Sequence, residues 1–265
     1  MGCRIITSAY NALIMVVSKL LKSAPLFRFK HGNHICVFYR DETYLLETIA
    51  PYVAHGLRKG ERCFCAPKLR MIQPLYTSLK HIGVDVQRET KRGALEIRTD
   101  DEVYLGGGTF TPGAMMQVLE TSIADSVKQG FTGFRFAGEG SWAAGERENQ
   151  LIKYEGMIDF AFAKKPAIIC CQYDTNLFSV KTLSDVLENH CLALMETMTG
   201  ANHSSLLVRQ GDYAVDIVAD RGDSRTKFYY IVQRRGSNDI IGWGAERNFD
   251  NAMREGKSLI RELAY

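Results

Sequence analysis

Residues 131–142, FTGFRFAGEGSW, place an arginine, a glutamate and a tryptophan at spacings that could build a ligand site. Phe134 and Phe136 alternate with Arg135 and Ala137, so an extended backbone points Arg135 away from the two phenylalanines. If extension persists, Glu139 shares the face of Arg135. A buried guanidinium needs an acceptor, and a carboxylate at the carboxyl end of a strand stands where open α/β sheets place ligand chemistry. Two readings stay open. The pair is a structural ion pair that fixes a loop, or Glu139 is a general acid or base while Arg135 steadies an anion. A second carboxylate competes for the arginine. Leu151, Tyr154, Ile158 and Phe162 mark the core-facing stripe of a helix, and Glu155 lies on it, where it must find a partner or stay protonated.

Alternating strands and helices must position these groups. Residues 34–39 (HICVFY), 62–66 (RCFCA) and 166–174 (PAIICCQYD) are apolar runs of strand length, and residues 84–87 and 94–97 read as two short strand-like pieces. Helical periodicity spans 42–57, with Pro51 inside it, then 68–82, interrupted at Pro74, then a segment after Pro112 with Met116, Leu119, Ile123 and Val127 on one face. Residues 151–162 and 182–194, the latter including His190, complete the set. The predicted fold class is α/β, a mostly parallel sheet with helices on both faces. Right-handed crossovers then bring Tyr39, Glu139, Tyr173 and Asp174 to one edge, where a ligand site is expected. From residue 204 the pattern changes to consecutive antiparallel strands at 206–209, 213–219, 227–233 and 240–243, followed by a helix over 249–263. The predicted organisation is an amino-terminal apolar helical segment (1–24), a main domain (25–198) and a small α+β carboxyl-terminal module (204–265).

Composition limits the function. The 33 basic and 30 acidic residues leave a net charge of +3 with no clustered basic face, so direct nucleic-acid binding is not expected. Seven cysteines at 3, 36, 63, 65, 170, 171 and 191, an odd number without a secretion signal, suit reduced thiols in a cytoplasm. None shows the two-residue gap of structural zinc sites, and most sit in apolar runs, so neither a metal nor another cofactor is expected. Residues 5–18 form an uncharged run of 14, shorter than the roughly 20 residues a membrane-spanning helix needs. No membrane span is expected.

Six ordered blocks between residues 34 and 195 carry a resemblance: HICVFYRDETYL, PYVAHGLRKGERC, YLGGGTFTPGAMM, GFRFAGEGSW, LIKYEGMIDF, and CCQYD followed by His190. They resemble the MEDS domain, a sensory domain of methanogen and methylotroph regulators. The resemblance implies a degenerate relative of the RecA and KaiC phosphate-loop fold. It further implies a sensor of a small organic ligand, such as a hydrocarbon derivative, acting in signal transduction and transcription regulation. Its marked positions fall here on His34, Tyr39, Arg135, Glu139, Trp142, Tyr154, Glu155, Tyr173, Asp174 and His190. Tyr154 suits the core and His190 a cap or core role, which leaves His34, Tyr39, Arg135, Glu139, Trp142, Glu155, Tyr173 and Asp174 as the implied ligand-binding set. Where an active phosphate loop needs glycines, a lysine and a hydroxyl, the first strand runs instead into RDETYL, so no Walker A motif exists and ATP hydrolysis is not expected. No helix-turn-helix, zinc finger or kinase pattern is read in the residues on either side of the domain. A stand-alone sensor must pass its signal through a regulator or kinase partner or a homo-oligomer. The rivals are an enzyme built on Glu139 and Arg135, and an interaction scaffold that binds no ligand.

Overall fold

The computed structural model describes residues 29–106, 108–190, 192–196, 203–210, 212–220, 227–234, 240–246 and 249–263. The expected helical segment 1–24 lies outside the described residues. Through the core, the chain runs β1 (His34–Tyr39), α1 (Glu42–Lys59), β2 (Arg62–Ala66), α2 (Ile72–His81), α3 (Val86–Lys91) and β3 (Leu95–Ile97). It continues α4 (Pro112–Lys128), β4 (Phe134–Glu139), α5 (Glu148–Phe162), β5 (Ala167–Asp174), α6 (Val180–Glu188) and β6 (Leu192–Glu196). Four more strands, β7 (His203–Gln210), β8 (Tyr213–Asp220), β9 (Lys227–Arg234) and β10 (Ile240–Glu246), precede α7 (Phe249–Leu263).

The strands form one sheet in the order β10-β9-β8-β7-β6-β1-β5-β4-β2-β3. From β6 to β3 every pairing is parallel, with β1 central between β5 and β6. Near-continuous apolar runs fit strands covered on both faces. Alternation then sorts each strand. Ile35, Val37, Cys63, Cys65, Ala137, Ile168 and Cys170 pack with α1, α2 and α3, whereas Cys36, Phe38, Phe64, Phe134, Phe136, Ile169 and Cys171 pack with α4, α5 and α6.

Two elements differ from the sequence expectation. Residues 84–87 are not a strand: Asp85 accepts a hydrogen bond from the Arg88 amide and caps helix α3, so the local capping signal outweighs the apolar pair. The helix expected over 182–194 ends at Glu188, because β1 has an open side that residues 192–195 fill, pairing Leu192 with Ile35 and Met195 with Phe38. Unpaired central backbone would cost more than helical periodicity returns. The four expected antiparallel strands and the closing helix are present. They continue the same sheet through the antiparallel β6–β7 pairing, and α7 closes a separate apolar cluster of Val215, Ile217, Val232, Ala252 and Ile260.

Arg135 anchors the α1 face. Its Nε donates to Glu61 Oε2 at 2.6 Å, Nη1 donates to the Tyr52 carbonyl at 3.2 Å, and the guanidinium lies 4.5 Å from the Tyr52 ring centroid. Gly56 makes room for it: a Cβ there would stand 2.7 Å from Arg135 Nε. The arginine therefore meets neither of the carboxylates expected from the sequence. Its partner is Glu61, which precedes β2. With Arg135 1% exposed and Glu61 6%, removing one partner strands a buried charge. Glu61→Ala is expected to cost about 3–5 kcal/mol of unfolding free energy in a denaturant titration.

Candidate functional site

Tyr39, Glu139 and Asp174 end β1, β4 and β5 at the carboxyl edge of the parallel sheet. The chain leaves β1 toward the α1 face and leaves β5 and β4 toward the opposite face, so the connections change side at these strand ends, the position where α/β sheets take their ligands. Glu139 is fully enclosed. Its Oε2 accepts from Tyr39 Oη at 2.7 Å, and its Oε1 accepts from Ser141 Oγ at 2.6 Å and from the Ser141 amide at 3.2 Å. Lys68 Nζ donates to Asp174 Oδ2 at 2.9 Å and stands 5.4 Å from the Tyr39 ring centroid. Burial raises the Glu139 pKa from an ordinary 4.5 to about 7, against the opposing pull of Lys68, Ser141 and Tyr39. Burial likewise raises Asp100 to about 6. Asp174 is the opposite case: burial opposes its charge, but Lys68 and Asn176 outweigh burial and hold it below the ordinary carboxylate range. The edge thus presents a buried carboxyl whose pKa is raised to about 7, a second raised to about 6, a tyrosine, and a lysine paired to Asp174.

The turn after β1 explains why this edge is not a phosphate loop. Only Arg40 and Asp41 separate β1 from α1, and the Asp41 carboxylate accepts from the Thr43 amide at 2.5 Å. A side-chain anion already occupies the Thr43 amide at the start of α1, and Glu42 adds a second negative charge in the first helical turn.

The remaining expected site residues gather elsewhere. His34, Cys171 and Tyr173 face α5 and α6, together with Glu155 and His190. Glu155 Oε1 accepts from Tyr173 Oη at 2.5 Å, while its Oε2 lies 3.0 Å from His34 Nε2 and 3.3 Å from His190 Nε2. Burial opposes ionisation of Glu155, but His34, His190 and Tyr173 together hold its pKa below the ordinary value. Burial also opposes charge on His34, yet Asp159 and Glu155 raise its pKa, whereas burial and the His34 charge push His190 down to about 3. Trp142 belongs to neither polar group. It stacks on Tyr104 at 4.7 Å between ring centroids and packs against Phe110 at 4.1 Å, beside Tyr154.

The expected ligand set therefore divides: Tyr39, Glu139 and Asp174 at the edge, His34, Glu155 and Tyr173 inside the opposite face, Trp142 in an aromatic stack, and Arg135 against Glu61. Arg135 is thereby occupied by Glu61 and Tyr52, which removes the anion-holding role the enzyme reading gave it. Sequence reasoning missed Lys68, Glu61, Ser141 and Cys171 as polar participants. Lys68 was findable, since it follows the strand RCFCA at the same edge, and strand alternation already places Cys171 beside Tyr173.

Fold and edge together define a parallel α/β domain with a buried carboxyl, Glu139, at a strand end and no phosphate-loop residues in the turn after β1. The chain belongs to the MEDS family, described as the methanogen/methylotroph, DcmR sensory domain, which matches residues 33–191, more than half of its length. It is also 26% identical over 167 residues to the transcriptional repressor DcmR of Methylorubrum extorquens, an alignment covering 60% of this chain and 58% of the repressor. Both similarities point to signalling or regulation. Among the described residues no helix is long and apolar enough to cross a membrane.

The raised Glu139 pKa carries a pH signature. The folded state binds this proton more tightly than the unfolded chain, so the group's stabilising contribution is complete below 4.5 and is lost as pH rises through about 7. Asp100 acts in the same direction up to about 6. Glu139→Gln should flatten the decline in unfolding free energy between these pH values relative to the unaltered protein, as read from denaturant midpoints.

Proposed function

We propose that the chain is the ligand-sensing part of a cytoplasmic regulatory protein. It binds a small organic molecule, such as a hydrocarbon derivative, at the carboxyl edge of the parallel sheet and passes the state of that site to a protein partner or a second copy of itself. The observation that carries this reading is Glu139. A fully buried carboxyl at a strand end, bonded by Tyr39 and Ser141 and shifted to about 7, can lose or gain a proton when a ligand alters its surroundings. Lys68 and Asp174 beside it supply a cation and an anion to orient a polar end, and the aromatic and apolar core below suits a hydrocarbon body. Membership in a sensory-domain family supports the same reading.

The domain is read as a phosphate-loop relative that has lost nucleotide chemistry. A two-residue turn capped by Asp41 offers phosphate no free nest of amides, which favours sensing without hydrolysis. Similarity to a repressor supports a place in transcription regulation, with the output supplied by a partner.

A thermal-shift screen tests the proposal. Short-chain halocarbons, alcohols and carboxylates are compared with ATP and Mg2+. A ligand at about 100 times its Kd adds about 2.7 kcal/mol to stability. One organic class should raise the melting temperature while ATP leaves it unchanged, and Glu139→Gln and Lys68→Met should each remove the response in a protein that still melts cooperatively. Stabilisation by ATP with Mg2+ and by no organic would overturn the reading.

A further inference from the structure

The group inside the α5–α6 face has the composition and geometry of a metal site. His34 Nε2, Glu155 carboxylate oxygen, Cys171 Sγ and His190 Nε2 come from β1, α5, β5 and the segment after α6, and the candidate ligand atoms of these four buried residues all lie within 4.8 Å of one another. Three of the separations can be compared with a coordination shell. His34 Nε2 is 3.0 Å and His190 Nε2 3.3 Å from Glu155 Oε2, and Cys171 Sγ is 3.6 Å from His34 Nε2. A tetrahedral zinc ion with usual bond lengths sets nitrogen–oxygen pairs about 3.3 Å apart and nitrogen–sulfur pairs about 3.6 Å apart.

Three further observations point inward to a ligand. Glu155 Oε2 and His190 Nε2 are buried 3.3 Å apart without a hydrogen bond that satisfies them, and Oε2 also lies 3.0 Å from His34 Nε2, another donor of the same set. The outer atoms are held as they are around bound metals: His190 Nδ1 donates to the Val186 carbonyl at 2.8 Å, which leaves the Nε2 lone pair facing inward, and Tyr173 Oη holds Glu155 Oε1. Asp159 Oδ1 lies 3.8 Å from His34 Nδ1, beyond hydrogen-bond distance, and so places a negative charge behind this histidine. Charge also balances, because one carboxylate, one thiolate and two neutral imidazoles around a divalent ion sum to zero, which suits side chains 0–3% exposed.

We propose that His34, Glu155, Cys171 and His190 bind one divalent borderline transition-metal ion, Zn2+ by donor set and geometry, in a closed site that ties β1 and β5 to the helices over them. Two imidazoles with a thiolate and a carboxylate select such an ion over Mg2+ or Ca2+. Four protein ligands leave no open position, so the ion is structural. Binding deprotonates the Cys171 thiol, and that proton passes to solvent. The proposal does not rest on the ligand reading of the Glu139 edge, which lies on the other face of the sheet. Local cysteine spacing, the ground for expecting no metal, does not bear on donors brought together from four separate elements.

The test uses the full chain. Metal content is measured by elemental analysis after purification, then the protein is stripped with chelator and titrated with Zn2+ and, separately, with Co2+. Expected results are close to one Zn2+ per chain, a melting temperature lowered by chelator and restored by Zn2+, and a Co2+ complex showing thiolate charge-transfer and tetrahedral ligand-field bands. Cys171→Ser should abolish the charge-transfer band, and Tyr173→Phe, which keeps the ring and removes the outer hydrogen bond, should weaken Zn2+ about 10–100-fold. Cys63→Ser, in the opposite core, should change neither. If Cys171→Ser fails to fold, the Co2+ spectrum of the unaltered protein still decides. Absence of a thiolate band there, or Zn2+ binding that persists unchanged in Cys171→Ser, overturns the proposal and leaves an ion-pair network held by protons alone.

Discussion

A parallel sheet covered on both faces imposes one constraint from which the rest follows: successive side chains must enter opposite cores. In β1, Ile35, Val37 and Tyr39 join the α1 side, while Cys36 and Phe38 join the α4–α5 side with His34. The same parity in β5 sends Asp174 one way and Cys171 and Tyr173 the other. Polar residues adjacent in sequence are thereby assigned to separate assemblies that no side-chain rotation can merge. Tyr39 bonds Glu139 on one face, and His34 meets Glu155 on the other.

Each assembly contains a fully buried glutamate, and the two have opposite electrostatic outcomes. Glu139 has hydroxyl and amide donors, which compensate only partly for lost water, so burial dominates and its proton leaves near neutrality. Glu155 faces two imidazoles as well as Tyr173, and these overcome a comparable burial cost. The difference lies in the neighbours. A group poised near neutrality suits a site that must respond, whereas a fixed anion among histidines and a cysteine suits one that must hold.

β1 links these regions to the remainder of the molecule. It carries Tyr39 at one end and His34 at the other, pairs with β5, which bears Asp174, Cys171 and Tyr173, and on its other side pairs with β6. Through β6 the hydrogen-bonded ladder continues into the antiparallel strands and the α7 cluster. The carboxyl-terminal strands are in this sense an extension of the same sheet.

The sequence by itself determined the alternation of strands and helices, the mostly parallel α/β class, the antiparallel strands and closing helix, the absence of phosphate-loop residues at RDETYL and the carboxyl-edge position of Tyr39, Glu139 and Asp174. These are legible because they rest on periodicity, turn chemistry and the handedness of crossovers, all of which are local or general. Even the division of the polar residues between two faces was available from the two-residue period of HICVFY and AIICCQYD. Tertiary structure alone decided that Arg135 meets Glu61 rather than Glu139 or Glu155, that residues 192–194 leave the helix expected for them and join β6 on the open side of β1, and that His34, Glu155, Cys171 and His190 share one buried point. Each depends on which elements lie side by side across the sheet, and the free energy that chooses those partners, from pairing backbone and shielding charge, is shared among segments distant in the chain.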